Sequence, residues 1–430
     1  MCGIQINKAK TPNGITHRGI NSVGGKIQNW YYNFSSLPLS SNETGLSQPL
    51  KLDNAALLFN GEIFNYRDFG NYRSDLHYLK DLFSINLFSK RFLKEYKNWD
   101  GFWAICYIKD NVVFFTDPLG KKQLYYNENG ICSEIKPIKG KSLLRSKAKF
   151  GTLNTNFFSV NRALPGEFYE YKNENKLAYK IDKVKDYLSI QEFKKRDLYK
   201  LIDQSVKLRS QTSYGKLGLL FSGGLDSSII AYHLIKNKID FTAISIENGE
   251  KEMCEKISRY LGFDVVYINN DLSKEEQIEA FKAYEHNLDL GSVLPQYKLF
   301  RKCKQLGLHT VLTGDGADEL FGGYTRAKKG NTYEYDVFME LPYYHHVRLD
   351  RCSMAHTVEC RNPFLSTDII NFSRFIGRDF KVGKKVLRDL YKKQIPFVES
   401  DKKPLRPIGT KEDNINNGKK LFNDAFRKRV

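Results

Sequence analysis

The chain has 430 residues, enough for two or three domains that each bury a core. Hydrophobic residues at 41% and aromatics at 13% exclude a disordered chain, and no apolar run reaches the ~18–20 residues of a membrane helix. The net charge of +19 would suit nucleic acid or a polyanionic substrate, but Lys is spread along the whole chain, so nucleic acid is not expected as the main partner.

The segment Met1-Cys2-Gly3-Ile4-Gln5-Ile6-Asn7 has no basic stretch followed by an apolar one, so no secretory leader is expected. Short β runs follow at 55–59, 102–108 and 112–115, with turns expected at Asn13-Gly14, Gly24-Gly25 and Asn129-Gly130. Helical periodicity in this part is confined mainly to 74–97. The first ~165 residues therefore read as antiparallel sheets with few helices. The polar stretch 172–185 reads as a linker.

The pattern then changes. A helix is expected at 190–208, a buried strand at 217–221 and a helix at 227–237. A strand at 241–246, a helix at 251–261, a strand at 265–268, a helix at 292–306 and a strand at 310–312 follow. Strands alternating with helices predict a parallel, doubly wound sheet. The basic end 426–430 reads as a solvated tail. The cysteines at 2, 106, 132, 254, 303, 352 and 360 show no C-x-x-C spacing. That argues against a disulfide framework or a cysteine zinc site and fits a reducing cytoplasm.

Two strings carry phosphate chemistry. Ser222-Gly223-Gly224-Leu225-Asp226-Ser227-Ser228 lies between a strand and a helix. Its glycines let the backbone approach a polyphosphate, amide hydrogens at the helix start face the anion, and three hydroxyls add donors. Asp226 would repel phosphate unless Mg²⁺ bridged them. The string lacks the Gly-Lys-Ser/Thr of a P-loop and the G-x-G-x-x-G of a dinucleotide fold. Thr313-Gly314-Asp315-Gly316-Ala317-Asp318-Glu319-Leu320-Phe321-Gly322-Gly323-Tyr324 follows another strand and crowds three carboxylates together, which requires cations or amines nearby, while Gly314, Gly316, Ala317, Gly322 and Gly323 leave its backbone open. Both strings sit just past strand carboxyl ends, where open α/β sheets bind ligands. Lys384 and Arg388, four apart, are expected on one basic helical face.

The first string resembles the pyrophosphate loop of ATP pyrophosphatases. Together with Val358-Glu359-Cys360-Arg361-Asn362-Pro363-Phe364-Leu365 and Lys384-Lys385-Val386-Leu387-Arg388, both strings resemble the synthetase domain of glutamine-hydrolysing asparagine synthetases. The early Cys2 resembles the nucleophile of class II glutaminase domains. So do His17-Arg18-Gly19, Phe59-Asn60-Gly61-Glu62, Ser74-Asp75, Asp117-Pro118-Leu119-Gly120 and Ser133-Glu134. The likeness runs from Cys2 to about Pro407.

That resemblance implies an α+β N-terminal-nucleophile sandwich at 2–175, followed by an α/β doubly wound parallel-sheet ATP-pyrophosphatase domain at 187–430. It implies a cytoplasmic carbon–nitrogen ligase of asparagine biosynthesis using ATP, Mg²⁺, glutamine and aspartate, with no membrane partner and with a homodimer as an allowed assembly. Cys2 would attack glutamine, Asn60 and Gly61 would hold the oxyanion, and Glu62 and Asp75 would complete the glutamine site. Leu220, Ser222, Gly223, Gly224, Asp226, Ser227, Ser228, Ile246, Thr313 and Gly314 would bind ATP. Asp226 and Asp318 would hold Mg²⁺, and Asp315 and Lys384 would act in catalysis.

The chain departs from the family at several points. Ser36 stands where an Arg that grips the glutamine α-carboxylate is expected, and Arg18 is the candidate to replace it. Thr116 replaces an Arg, Asp315 replaces a Glu, and 238–291 is compressed around Leu261-Gly262-Phe263-Asp264-Val265. Asp289-Leu290-Gly291-Ser292 falls where acceptor-side residues are expected. Alternatives are an amidotransferase acting on a sugar acid, peptide or modified nucleobase, loss of function in one half, and a binding module with a decayed core.

Overall fold

The computed structural model describes residues 2–39, 46–85, 87–141, 144, 148–172, 178–181, 197–212, 214–247, 251–269, 271–397 and 411–426. The start of the helix expected from 190, most of 172–185 and the tail beyond Phe426 lie outside them. The chain divides into one unit of Met1–Ile190 with Pro342–Val347 and a second of Gln191–Leu341 with Arg348–Val430.

The first unit holds two antiparallel six-stranded sheets. One comprises β1 (Cys2–Asn7), β2 (Asn21–Ile27), β3 (Trp30–Ser36), β8 (Tyr125–Asn127), β9 (Gly130–Cys132) and β10 (Asn161–Arg162), in the order β10-β8-β9-β1-β3-β2. The other comprises β4 (Leu50–Leu52), β5 (Ala55–Ile63), β6 (Gly101–Ile108), β7 (Val112–Thr116), β11 (Phe168–Tyr171) and β12 (Ala178–Ile181), in the order β12-β11-β7-β6-β5-β4.

The period-two alternation of strand side chains sorts β5 and β6 into two cores. Leu58, Ala104, Cys106 and Ile108 meet Ile4, Ile6, Phe34 and Ile131 of the facing sheet. Leu57, Phe59, Trp103 and Ile105 turn the other way, onto Tyr78, Leu79 and Leu82 of α1 (Asp75–Ile85) and Phe92 and Tyr96 of α2 (Lys90–Tyr96). The unit is thus a sheet sandwich with helices on one outer face.

Three local expectations are corrected here. Gly24-Gly25 is not a turn but lies inside β2, and the chain reverses after it, where Gln28 takes φ 51°. The helical stretch 74–97 is two helices, broken where Phe88 takes φ 66° and Ser89 caps α2 by accepting from the Phe92 amide. The linker 172–185 is not all linker, because β12 within it pairs with β11 and extends the first unit past residue 175.

The second unit carries a five-stranded, wholly parallel sheet. Its strands are β13 (Lys216–Leu220), β14 (Thr242–Ile246), β15 (Val265–Ile268), β16 (Leu308–Leu312) and β17 (Glu359–Arg361), in the order β15-β14-β13-β16-β17. Helix α3 (Asp197–Ser210) precedes it. Helices α4 (Leu225–Lys236), α5 (Lys251–Leu261), α6 (Lys274–Tyr284) and α7 (Leu290–Gln305) form the crossovers, and the short α8 (Ala317–Leu320) follows β16. Strand order reverses between β13 and β16, so this is the topological switch point at which a doubly wound sheet opens a crevice.

Candidate functional site

In the first unit, Cys2 opens β1 and is 8% exposed. Its backbone nitrogen donates to Asn60 Oδ1 at 3.0 Å. Asn60 reaches it because it shares the face of Leu58 in β5, toward the sheet that contains β1. Asn60 and Gly61 both lie within β5, which runs past the expected strand 55–59. Asn60 is fully buried, and its Nδ2 has no hydrogen-bond partner among the described residues. A buried amide donor without a hydrogen-bond partner is costly, and its place beside a thiol suits the binding of an anion. Gly61 faces Trp103 across the ladder, and a Cβ there would fall 2.0 Å from the Phe102 carbonyl oxygen. Only glycine permits that approach.

Asp75 is buried at the start of α1 and accepts from the Ile63 amide at 3.2 Å, which ties α1 to the end of β5 just beyond Glu62. Ser36 is paired directly with Cys2 across β1 and β3. Arg18 does not stand ready to replace a missing arginine. It is 1% exposed, its Nη1 donates to Glu134 Oε1 at 3.0 Å, and its Nε reaches the Cys2 carbonyl at 3.3 Å. His17 Nε2 lies 2.8 Å from the same Glu134 oxygen, so this cluster buttresses the backbone of Cys2. The carboxylate of Asp117 accepts from the amides of Trp103, Leu119, Lys121 and Lys122, and burial pushes it up to about 6 against those bonds.

In the second unit, the loop after β13 turns through Gly223 at φ 69°, where a Cβ would press on Cys254 at 2.9 Å. Gly224 caps α4, and the Ser222, Ser227 and Ser228 hydroxyls are tied to one another or to the Gly224 backbone. This leaves the first amides of α4 at the crevice, with Leu220 and Ile246 at the carboxyl ends of β13 and β14.

The loop after β16 closes on the same place. A Cβ on Gly314, next to Thr313, would fall 2.6 Å from the Cβ of Asp226, so glycine is required for the two loops to meet. Asp226 and Asp318 are 7% and 5% exposed, and the Lys384 ammonium lies 2.6 Å from each. Two buried carboxylates sharing one ammonium leave the trio with net negative charge, which suits a cation carried in by a polyphosphate. Asp315 is set apart from this trio. It accepts from the Thr313 hydroxyl and faces the Arg348 guanidinium at 4.0 Å, and Arg348 donates to Ser292 at 2.7 Å.

Lys384 and Arg388 do not share a helical face. Lys384 precedes the helix Lys385–Tyr391 as its N-cap, at φ 58°, and Arg388 folds back to donate to the Gly383 carbonyl at 2.9 Å. The left-handed turn aims Lys384 inward, held by its amide on the Phe321 carbonyl at 3.0 Å. Gly323, one of the small residues expected to leave this backbone open, is needed because a Cβ there would fall 1.9 Å from Asp318 Oδ1. One participant escaped the sequence reading. Arg348 gave no signal, since it lies in no recognised string and nothing in its spacing points to Asp315.

A family profile described as Asparagine synthase matches residues 197–342 and 331–428. A putative glutamine-hydrolysing asparagine synthetase 1 of Methanocaldococcus jannaschii is 27% identical over 398 residues, covering 84% of this chain and 71% of that protein. Asparagine synthetase B of Escherichia coli is 26% identical over 395 residues, covering 79% and 67%. Asparagine synthetase 2 of Oryza sativa is 30% identical over 195 residues, covering 40% and 33%. The chain thus spans between one third and seven tenths of the length of these relatives.

Proposed function

The chain belongs to the asparagine synthase family of carbon–nitrogen ligases, and on that premise we propose that it makes asparagine from aspartate, glutamine and ATP. The observation that carries this reading is the meeting of Asp226, Asp318 and Lys384 at the switch point of the parallel sheet. Two acidic groups and a cation at the carboxyl ends of β13 and β16 suit the handling of a polyphosphate and the release of pyrophosphate.

In the first unit, loss of Met1 would free the Cys2 α-amine, which takes the thiol proton as sulfur attacks the glutamine amide carbon. Asn60 Nδ2 and the Gly61 amide would donate to the oxyanion. Collapse expels ammonia and leaves a thioester, and water then releases glutamate. Asp75 would pair with the substrate ammonium. With Ser36 opposite Cys2 and Arg18 committed to Glu134, the grip on the glutamine α-carboxylate would be weak.

In the second unit, the α4 amides and the hydroxyls of Ser222, Ser227 and Ser228 would hold the phosphates, and Ile246 would contact the adenine. Asp226 and Asp318 would hold Mg²⁺, which when bound neutralises phosphate charge. The acceptor carboxylate attacks the α-phosphorus, and Lys384 would offset charge on the departing pyrophosphate. Ammonia then attacks the acyl carbon and AMP leaves. Asp315 would take a proton from the incoming nitrogen.

The test is direct. Purified protein is incubated with ATP, Mg²⁺, glutamine and either aspartate or another carboxylic acid, and AMP, pyrophosphate and the amide are measured. Equal amounts of AMP, pyrophosphate and asparagine, dependent on aspartate, are expected. AMP formed only with a different acid would replace aspartate as acceptor, and none with any acid would sink the ligase reading for this chain.

A further inference from the structure

The reaction uses Asp226 and Lys384 but not a second polar contact between the same two helices. His233 lies on α4 seven positions after Asp226, and Tyr391 lies seven positions after Lys384. Along α4 seven residues make two turns, about 10.5 Å of rise, and return a side chain to nearly the same face, while Tyr391 closes the helix that Lys384 precedes. His233 Nε2 lies 2.6 Å from the Tyr391 hydroxyl. Helix α4 and the helix Lys385–Tyr391 are therefore joined twice, by Lys384 to Asp226 at the crevice and by Tyr391 to His233 two turns below.

The lower contact has a defined direction. His233 is fully buried and Tyr391 is 1% exposed. Burial depresses His233 to about 4, against the pull of Asp203, so the ring is neutral at pH 7 with one donor and one acceptor. Its Nδ1 faces Asp203 Oδ1 at 2.8 Å. Burial alone would raise Asp203, but donors on Asn237, Lys236, Lys207 and His233 outweigh it and hold the carboxyl well below the usual range. Asp203 is thus an anion that only accepts, so Nδ1–H donates to it and Nε2 accepts from the Tyr391 hydroxyl. The Tyr199 ring stacks on Tyr391 at 5.7 Å and closes the cluster.

Apolar side chains would fill this space equally well, but they slide. A directional hydrogen bond fixes register. Register matters because Lys384 is the first residue before its helix, and a shift along α4 would carry its ammonium out from between Asp226 and Asp318. We infer that the Asp203–His233–Tyr391 chain is a positioning device for Lys384, which locks the helix Lys385–Tyr391 onto α4 so that the upper contact stays aligned. The catalytic consequence rests on the function proposed above; the geometric one does not.

Three full-length variants separate the possibilities. Tyr391→Phe removes one oxygen and breaks the lower contact. His233→Asn keeps a donor for Asp203 but falls short of Tyr391. His233→Gln places an acceptor near the original Nε2 and restores the contact. Two readouts are taken: acetylation of Lys384 by an amine-reactive ester, followed on its peptide by mass spectrometry, and acceptor-dependent pyrophosphate release. Tyr391→Phe and His233→Asn should raise Lys384 labelling several-fold and lower kcat for pyrophosphate release about tenfold or more, while His233→Gln stays near the parent in both. Unchanged labelling in Tyr391→Phe overturns the inference, as does a His233→Gln protein that behaves like His233→Asn. Should His233→Asn not fold, Tyr391→Phe decides. Labelling that shifts as expected in a parent that releases no pyrophosphate upholds the positioning and removes the ligase reading instead.

Discussion

The backbone nitrogen of Cys2 donates to Asn60 Oδ1 at 3.0 Å, which ties the first strand of one sheet to the middle of a strand in the other. This bond orients the Asn60 amide, because an oxygen held on the Cys2 nitrogen leaves Nδ2 as the group offered to a developing charge. Asn60→Ala should lower kcat for glutamine hydrolysis by about 10²-fold or more, the usual cost of one oxyanion donor. KM should change far less. A variant whose loss lies wholly in KM would assign Asn60 to substrate binding.

Cys2→Ala should abolish glutamine hydrolysis yet keep amide synthesis from an added ammonium salt, since the two half-reactions use separate residues. Glutamate release by that variant would remove Cys2 as nucleophile.

Ser36 pairs across the sheet with Cys2, so its side chain stands beside the proposed nucleophile's strand position. A high KM for glutamine is expected, lowered by Ser36→Arg. A charge-assisted guanidinium–carboxylate pair exceeds one neutral hydroxyl bond by about 1.5–3 kcal/mol, or roughly ten- to a hundredfold in affinity. Initial rates over a range of glutamine concentrations decide the point. A KM that rises in the variant would mean that another group already holds the carboxylate and the arginine crowds it.

Lys384 is the ammonium between two buried carboxylates. Lys384→Met should stop pyrophosphate release and lower the thermal midpoint, because stranding paired buried charges costs about 3–5 kcal/mol. Asp226→Asn leaves Lys384 its contact with Asp318, so it should stop release with a smaller loss of stability. Equal loss of stability in the two would contradict the shared-ammonium arrangement.

His233 also sets a pH dependence. Its ring titrates near 4 when folded and near 6.5 when unfolded. Between those values the unfolded chain binds a proton that the folded one refuses, so stability rises with pH across this window and is lost as pH falls through it. The full difference is about 3 kcal/mol. Asp203, held low when folded, adds its loss only below the ordinary aspartate range, outside the window. His233→Gln should flatten the fall in urea midpoint between pH 6.5 and 4. The same slope as the parent would show that other groups govern it.

Elements with strong local signals were legible in the chain. Helix α5 and strand β15 fall where periodicity put them, and the loop at 222–228 lies between a buried strand and a helix as its glycines require. The first strands were not legible. β2 is an edge strand with the polar sequence NSVGGKI, so burial imposes no alternation on it. β1 buries Gln5 and Asn7, polar residues that break its alternation and are satisfied by Thr11 and Pro12 in the following turn and by the distant Asn129 carbonyl. Lys384 was misplaced on a helix because i, i+4 spacing cannot reveal a left-handed cap. In each case burial or backbone geometry, not the apolar period of the sequence, decides the local structure.

The charge pattern at the crevice has a consequence for how the chain is made. Asp226 and Asp318 both precede Lys384, and the strands carrying their loops pair directly. A growing chain that has formed β13 and β16 but has not yet delivered residue 384 must place two acidic groups together without their shared ammonium. Until Lys384 arrives, repulsion between those carboxylates opposes closure of the two loops. The second unit therefore acquires its finished crevice late in synthesis, and a fragment ending before residue 384 should hold the β13 and β16 loops open even where its sheet has formed.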